Sequence, residues 1–99
     1  MKIVAVTACP TGIAHTYMAA DALVKTANKY HVQIKVETQG AMGIENLLSA
    51  QDISNADRVL IVSDIKIEQE DRFDNIDIIR LPIEDALLNP DKIFILHCR

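Results

Sequence analysis

The fold of this protein is decided near the start of the chain, where residues 2–16 have the sequence KIVAVTACPTGIAHT. The β-branched run at residues 2–7 predicts a strand that is buried on both faces. The turn-forming residues 9–12 end that strand. A helix is expected from residue 13 to about residue 29, because apolar side chains recur there at helical spacing. A buried strand, a tight turn and an amphipathic helix in this order are typical of a parallel α/β protein.

Three further segments predict strands of the same sheet. Residues 32–38 alternate apolar and polar side chains, which is the period of a half-exposed or edge strand. Residues 58–63 and 76–81 are continuous apolar runs of strand length. With right-handed crossovers, the four strands take the order 2-1-3-4, numbered along the chain. We therefore expect residues 1–99 to form one α/β domain, a three-layer sandwich with a small doubly wound parallel sheet of the flavodoxin-like or Rossmann-like kind.

The segments between the strands are expected to form short helices or ordered loops. Ser49 is placed to cap a second helix that runs through residues 52–56, and Pro82 suits the first turn of a helix that runs to residue 88. Residues 43–48 predict a short helical turn or an ordered loop. The apolar run at residues 93–96 fits a helix end or a strand equally well, so both interpretations of the tail stay open.

The composition excludes several classes of function. The formal charge of −4 over 99 residues argues against a nucleic-acid or anionic-membrane surface, since either needs a dense cationic face. The apolar run at residues 3–6 is too short for a signal peptide or a membrane span. Cys9 and Cys98 lie almost a chain length apart and do not make the disulfide framework of a small secreted domain. The expected compartment is the cytoplasm, without direct membrane insertion.

The turn at residues 9–16 has the features of an anion site. Backbone N–H groups of the turn and of the first helical residues lack intrahelical partners and can converge on one anion. The same donors would stabilise a thiolate, so a thiol at the position of Cys9 ionises more easily. Gly12 permits close approach of the backbone, Pro10 stiffens the turn, and Thr11 and Thr16 add hydroxyl groups. On spacing alone, a cysteine after a buried strand is as often a small core residue, and both interpretations stay open.

Other sites of similar geometry do not match this turn. The chain has no G-x-G-x-x-G sequence, and no Lys follows Gly12 in the frame of a nucleotide-binding P-loop. The cysteines and histidines show neither a dithiol motif nor zinc-ligand spacing, so no metal or cofactor is expected. Cysteine-based phosphatases clamp the phosphoryl group with an Arg where this chain has His15. Weaker binding of the phosphoryl group suits a relay, which accepts the group and then gives it away. His15 could polarise the loop or cap the helix, and a solvent-facing His15 without such a role is an equal alternative.

Asp64 follows the predicted third strand and is expected at the same edge of the sheet as Cys9. A carboxylate beside Cys9 would oppose a bound phosphoryl dianion. We expect Asp64 to cap the following segment, with a role in bonding the loop as the alternative.

Three motifs together resemble one known family. Residues 6–16 (VTACPTGIAHT), 36–40 (VETQG) and 43–46 (GIEN) are similar, in order and spacing, to the fructose-type enzyme IIB domain of the bacterial phosphoenolpyruvate-dependent sugar phosphotransferase system, or PTS. The resemblance covers about residues 2–90, and residues 91–99 show no clear continuation of the terminal helix usual in that family. It favours the catalytic interpretation of Cys9 over the core one.

The resemblance implies a phosphotransferase that works through a phosphocysteine. Cys9 would receive a phosphoryl group from a phosphohistidine of the IIA partner and pass it to a sugar held by the membrane-embedded IIC partner during uptake. The chain would be a free-standing or excised IIB subunit, monomeric when isolated and cytoplasmic, associating with the inner face of the membrane through IIC. Sugar specificity is expected in the membrane partner, and fructose is only the label of the family. The implied phosphate-binding loop consists of Pro10, Thr11, Gly12, Ile13, Ala14, His15 and Thr16.

Two other classes of function remain open, a phosphatase-like hydrolase and a non-catalytic module that binds anions or nucleotides. The missing loop Arg argues against the hydrolase. A binding module predicts that the Cys9→Ser variant keeps full activity in a transport assay. In the favoured class the IIA partner docks over the Cys9 edge, where Ile13 and Met42 are candidate contacts or, equally, core residues.

Overall fold

The computed structural model describes residues 1–10 and 14–98. Strands and helices alternate along most of the described chain. The elements are β1 (Lys2–Ala8), α1 (Ala14–Lys29), β2 (Gln33–Gly40), β3 (Gly43–Glu45), α2 (Ala50–Ser54), β4 (Arg58–Ser63), a 3-10 helix (Glu70–Phe73), β5 (Ile79–Leu81), α3 (Ile83–Leu88) and α4 (Pro90–His97).

The strands form one sheet in the order β3-β2-β1-β4-β5. β1 lies in the centre and pairs in parallel with β2 and β4, and β5 pairs in parallel with β4. Because β4 and β5 are the third and fourth strands expected from the sequence, the predicted order of the parallel strands is confirmed. The sheet is flavodoxin-like, and its winding direction changes between β1 and β4.

β3 is a correction to the sequence prediction. It pairs antiparallel with β2, so the sheet has a fifth strand and β3 is its edge. β2, for which an edge strand was one expectation, is hydrogen-bonded to a neighbouring strand along both of its edges. The prediction of a helical turn or loop at residues 43–48 is therefore wrong for the first three of them. Three residues are too few to show a period, and the pairing depends on Gly43, whose φ of 86° lies in the left-handed region that glycine adopts without strain.

The core is divided between the two faces of the sheet. On one face, Ile3 and Ala5 of β1 pack in a cluster with Leu23 of α1 and Phe94 of α4. On the other face, alternate β1 residues pack with α2 and with the chain that follows β4, in a cluster that contains Val4, Val6, Ile53, Ile67 and Phe73. This period-two division confirms the expected three-layer sandwich.

The predicted helices form, with shifted boundaries. Ser49 caps α2 through a capping box, in which its side chain accepts a hydrogen bond from Asp52 N and the Asp52 carboxylate accepts one from Ser49 N. α2 begins directly after Ser49, as this cap requires, and ends two residues earlier than expected. Pro82 is the N-cap of α3 rather than a residue of its first turn.

The last predicted strand and the tail also differ from expectation. β5 includes only the end of the apolar run at residues 76–81, because Asn75 is left-handed with φ 64° and Ile76 N still bonds Phe73 O as the chain leaves the 3-10 helix. The tail is the helix α4, so the helix is the correct one of the two interpretations that the sequence left open for residues 93–96. Four consecutive apolar residues concealed its period, since only Ile93 and Phe94 are buried. Among the described residues, no helix combines the length and the apolar character needed to cross a membrane.

Candidate active site at the carboxyl end of β1

Cys9 follows the central strand directly, at the carboxyl edge of the sheet. Ala8, the last residue of β1, pairs with Gln39 of β2 on one side and with Ser63 of β4 on the other. This is the point at which the winding direction changes, and ligands of doubly wound sheets bind beyond the strand ends at such points. The topology therefore places Cys9 where the sequence predicted it.

The thiol of Cys9 has a defined hydrogen-bond donor. The Thr16 hydroxyl donates to Cys9 Sγ over 3.1 Å. Thr16 is the third residue of α1, and its own carbonyl accepts a hydrogen bond of 3.1 Å from the Thr7 hydroxyl of β1. A donor aimed at sulfur favours the charged form of the thiol, and the bond from Thr7 ties the first turn of α1 to the strand that presents Cys9.

Cys9 is a buried residue, only 4% exposed, and it belongs to the core cluster on the α1 face. Pro10 and Ala14, the next two described residues along the chain, are exposed. The sulfur thus lies just below the surface at the edge of the sheet. Burial alone fits a core cysteine as well as a nucleophile, and the bond from Thr16 is what favours the nucleophile.

The described residues include only part of the predicted phosphate-binding loop, namely Pro10, Ala14, His15 and Thr16. Thr11, Gly12 and Ile13 lie outside the described residues. Ala14 and His15 begin α1, and His15 is exposed, as the solvent-facing alternative expects.

The Asp64 carboxylate has a hydrogen-bond partner at the start of α3. Its carboxylate accepts a hydrogen bond of 3.3 Å from Ile83 N, the first residue of α3. A carboxylate at a helix N-terminus satisfies an N–H group that has no partner within the helix. Asp64 is thus a cap, as expected, but the segment that it caps is α3 and not the one that directly follows it, since the 3-10 helix and β5 lie between them.

A cleft of about 410 Å³ opens at this edge of the sheet. We call it the edge cleft. One wall is the end of β2 with the turn into β3, including Gly40 and Ala41, and the other contains Ile65, Lys66 and Glu68. Ala8, the residue before Cys9, lies between the two walls. The predicted contact Met42 lies in the turn into β3 and is 75% exposed, which removes it from the core.

A buried ion pair lies behind the edge cleft, and the sequence patterns did not reveal it. Glu37 of β2 has no exposed surface, and both of its carboxylate oxygens accept hydrogen bonds of 2.6 Å from the guanidinium of Arg72. Leu48 N and Gln39 Nε2 also donate to this carboxylate, over 2.9 and 2.8 Å. Burial by itself raises the pKa of Glu37, but these donors outweigh it and hold the pKa below the ordinary value. The alternation of apolar and polar residues over 32–38 put Glu37 among the polar, exposed positions, so no local signal indicated its burial.

Comparison with family models gives a match over residues 4–95 to the family described as "PTS system, Lactose/Cellobiose specific IIB subunit". This chain belongs to the PTS IIB family. The fructose-type IIB resemblance seen in its motifs is confirmed by curated relatives. The "PTS system fructose-like EIIB component 2" of Escherichia coli (strain K12) is 51% identical over 92 residues, which are 93% of this chain and 87% of the relative. The "PTS system fructose-specific EIIABC component" of Bacillus subtilis (strain 168) is 46% identical over 93% of this chain, which spans only 14% of that longer protein.

Solved structures of PTS IIB domains have the same fold as this chain. A domain of fruA from Bacillus subtilis matches with a TM-score of 0.86 and 42% identity, covering 94% of this chain and 88% of the other. The solution structure of an enzyme IIB subunit of a PTS from Escherichia coli K12 matches with a TM-score of 0.89 and 40% identity, covering 96% and 88%. The chain is thus a fructose-type IIB component of a sugar transport system, a transferase in the general sense. The family description names lactose and cellobiose while the relatives name fructose, so family membership does not define one sugar.

Proposed function

We propose that this IIB domain relays a phosphoryl group through Cys9, from a phosphohistidine of a IIA partner to a sugar held by a membrane-embedded IIC partner. The observation that carries the proposal is the hydrogen bond from the Thr16 hydroxyl to Cys9 Sγ at the carboxyl end of β1. The partners are supported by relatives whose names join a B component to A and C components in one chain. The proposed place of action is the cytoplasmic face of the membrane, where IIC holds the sugar.

The first step is an in-line attack of the Cys9 thiolate on phosphorus. The S–P bond forms as the P–N bond of the phosphohistidine breaks, and the imidazole nitrogen keeps the electron pair. Negative charge on the three equatorial oxygens is stabilised by N–H donors at the start of α1. In the second step a sugar hydroxyl loses its proton and attacks phosphorus, and the sulfur leaves as a thiolate. The Thr16 hydroxyl favours both steps, because it stabilises the sulfur anion as nucleophile and as leaving group.

The absence of an Arg from residues 9–16 favours a relay over a phosphatase. A bidentate guanidinium would hold the phosphoryl group tightly and favour its transfer to water. His15 occupies the corresponding position with its side chain exposed. Steady hydrolysis of an aryl phosphate by the purified domain would support the hydrolase class instead.

The test is phosphoryl labelling by a phosphorylated fructose-type IIA protein, followed by intact-mass spectrometry. We expect one added phosphoryl group per chain, linked through sulfur and stable in acid. The Escherichia coli fructose-like EIIB component 2 serves as the positive control for the donor. If that control is labelled and this chain is not, the proposal is wrong.

Thr16→Val should slow labelling of Cys9 while the fold is kept, because valine has the shape of threonine but no hydroxyl. A hydrogen bond to a charged group contributes about 1.5–3 kcal/mol. We therefore expect the labelling rate to fall about tenfold to a hundredfold. Thr16→Ser keeps the donor and is the matched control, with a rate within a few-fold of the wild type. Labelling of Thr16→Val at the wild-type rate would remove the support that this hydrogen bond lends to the relay.

A further inference from the structure

The two walls of the edge cleft come from strands that are not neighbours. β2 supplies one wall and the chain after β4 supplies the other, with β1 between them. Adjacent strands lie about 4.8 Å apart, so the two walls are separated by about 10 Å at the level of the sheet. Strand pairing cannot join them, and some other contact must set the width of the cleft.

The chain after β4 folds back across the end of β1 to reach this position. The change of direction begins at Ser63, because its hydroxyl accepts a hydrogen bond from Ile65 N and donates one to Ile65 O. Ile67 is then buried in the same cluster as Ala8, the residue before Cys9. Residues 65–68 therefore cross the end of β1 next to Ala8, on the face of the sheet opposite to the cluster that contains Cys9.

Gln39 joins this segment to β2. Its side-chain amide pairs with the backbone of Glu68 through two hydrogen bonds, Nε2 to Glu68 O at 3.0 Å and Glu68 N to Oε1 at 2.7 Å. The pair copies the two-bond exchange between residues of adjacent antiparallel strands. The side chain of Gln39 thus joins β2 to residues 65–68 across β1, where strand pairing cannot join them.

Gln39 is itself held by the buried ion pair. Its Nε2 also donates to Glu37, whose carboxylate is fixed by Arg72. Arg72 Nε in turn donates to the carbonyl of Gln69 over 2.9 Å, and Gln69 has a left-handed backbone with φ 57°. A residue other than glycine in this conformation is strained, and such strain persists only where the surrounding contacts determine it. The residue after Glu68 is therefore held in place by the same network that holds Gln39.

We propose that Gln39 is a positioning residue that fixes residues 65–68 as a preformed wall of the edge cleft, so that a partner carrying the phosphoryl group meets an ordered surface at the end of β1, next to the residue that precedes Cys9. This inference rests on the proposed relay. The effect of Gln39 acts through the wall, whose backbone it binds at Glu68. Without the Gln39 bridge, the wall must be ordered each time a partner docks, and the apparent affinity falls by the fraction of time that the wall is in place.

The experiment compares Gln39→Ala with the wild type in labelling by a phosphorylated IIA protein, at several concentrations of the donor. We expect KM for the donor to rise about tenfold, as for a wall that is ordered about a tenth of the time, with kcat within twofold. Hydrogen exchange at Glu68 N–H should become faster. Gln39→Asn keeps the amide but is one methylene shorter, so it cannot make both bonds and should behave like Gln39→Ala.

Gln33→Ala is the matched control, because Gln33 begins the same strand at its other end and is exposed. It should change neither KM nor exchange at Glu68. A wild-type KM in both Gln39 variants, or a fall in kcat at unchanged KM, would overturn the positioning role while leaving the relay intact. Failure of the wild type to be labelled would overturn the relay and this inference together, even with faster exchange in the variants.

Discussion

Cys9→Ser is expected to abolish phosphoryl labelling by the IIA partner, whereas Cys98→Ser should be labelled like the wild type. Serine is similar in size, so the fold is kept, but its hydroxyl does not ionise near neutral pH and is a far weaker nucleophile. Loss of an enzyme nucleophile typically lowers the rate by a factor of about a thousand or more. Labelling rates from intact-mass spectrometry measure the difference.

Cys98 is a suitable control because it is the other cysteine of the chain and has the opposite surroundings. It is buried at the end of α4, and desolvation raises the pKa of its thiol to about 11, although the nearby charge of Arg58 opposes the effect. Its thiol therefore stays protonated at neutral pH and does not attack phosphorus. Labelling of Cys9→Ser at the same rate as Cys98→Ser would show that the phosphoryl group does not need Cys9, and the relay through Cys9 would be excluded.

Glu37→Gln is expected to lower the free energy of unfolding by about 3–5 kcal/mol, which is the usual cost of breaking a buried ion pair by removing one partner. The variant keeps the shape of the side chain but leaves the guanidinium of Arg72, whose side chain is only 16% exposed, without its counter-charge. Urea denaturation at neutral pH measures the loss. Lys25→Gln is the control, because the ion pair between Lys25 and Asp21 on α1 is exposed and its removal changes stability little.

A double variant separates the ion pair from general disruption of the core. Glu37→Gln combined with Arg72→Gln removes both charges, so it should be less destabilised than the sum of the two single variants. A simple sum would mean that the pair is not coupled, and a loss below about 1 kcal/mol in Glu37→Gln would contradict its structural role.

The stability difference between the wild type and Glu37→Gln depends on pH. Because folding lowers the pKa of Glu37 below its ordinary value of 4.5, the stabilisation is complete above that value and is lost as the pH falls through the folded pKa. The difference in unfolding free energy should therefore shrink below pH 4.5. Asp52, whose pKa is lowered to about 2 mainly by its hydrogen bond from Lys35, is present in both proteins and cancels from the difference. A difference that stays constant into acid would contradict the lowered pKa of Glu37.

Several elements were predictable because the information they need is local. The β-branched run of β1, the helical spacing in α1 and the capping position of Ser49 each lie within one segment. The order of the parallel strands followed from these segments, since right-handed crossovers leave few arrangements for so short a chain. The position of Cys9 followed in turn, because a residue directly after a central strand lies at the carboxyl edge wherever the helices pack.

The elements that were missed are short or depend on distant partners. β3 has three residues and depends on pairing with β2, and α4 was concealed because half of its apolar run faces solvent. The ion pair joins Glu37 and Arg72 across 35 residues of sequence. No periodicity within either segment indicates the other, because the two meet only after the chain has folded back across β1.

By itself, the sequence determined the parallel α/β architecture and the place of Cys9 at the end of the central strand, because strand and helix periods and turn residues act over a few neighbouring positions. Only the tertiary structure decided what surrounds that thiol. The donation from Thr16 to sulfur, the pairing of Gln39 with Glu68 and the burial of Glu37 against Arg72 each require side chains from separate elements to meet within hydrogen-bond distance. Such contacts depend on the distances between folded elements, which no local pattern of residues contains.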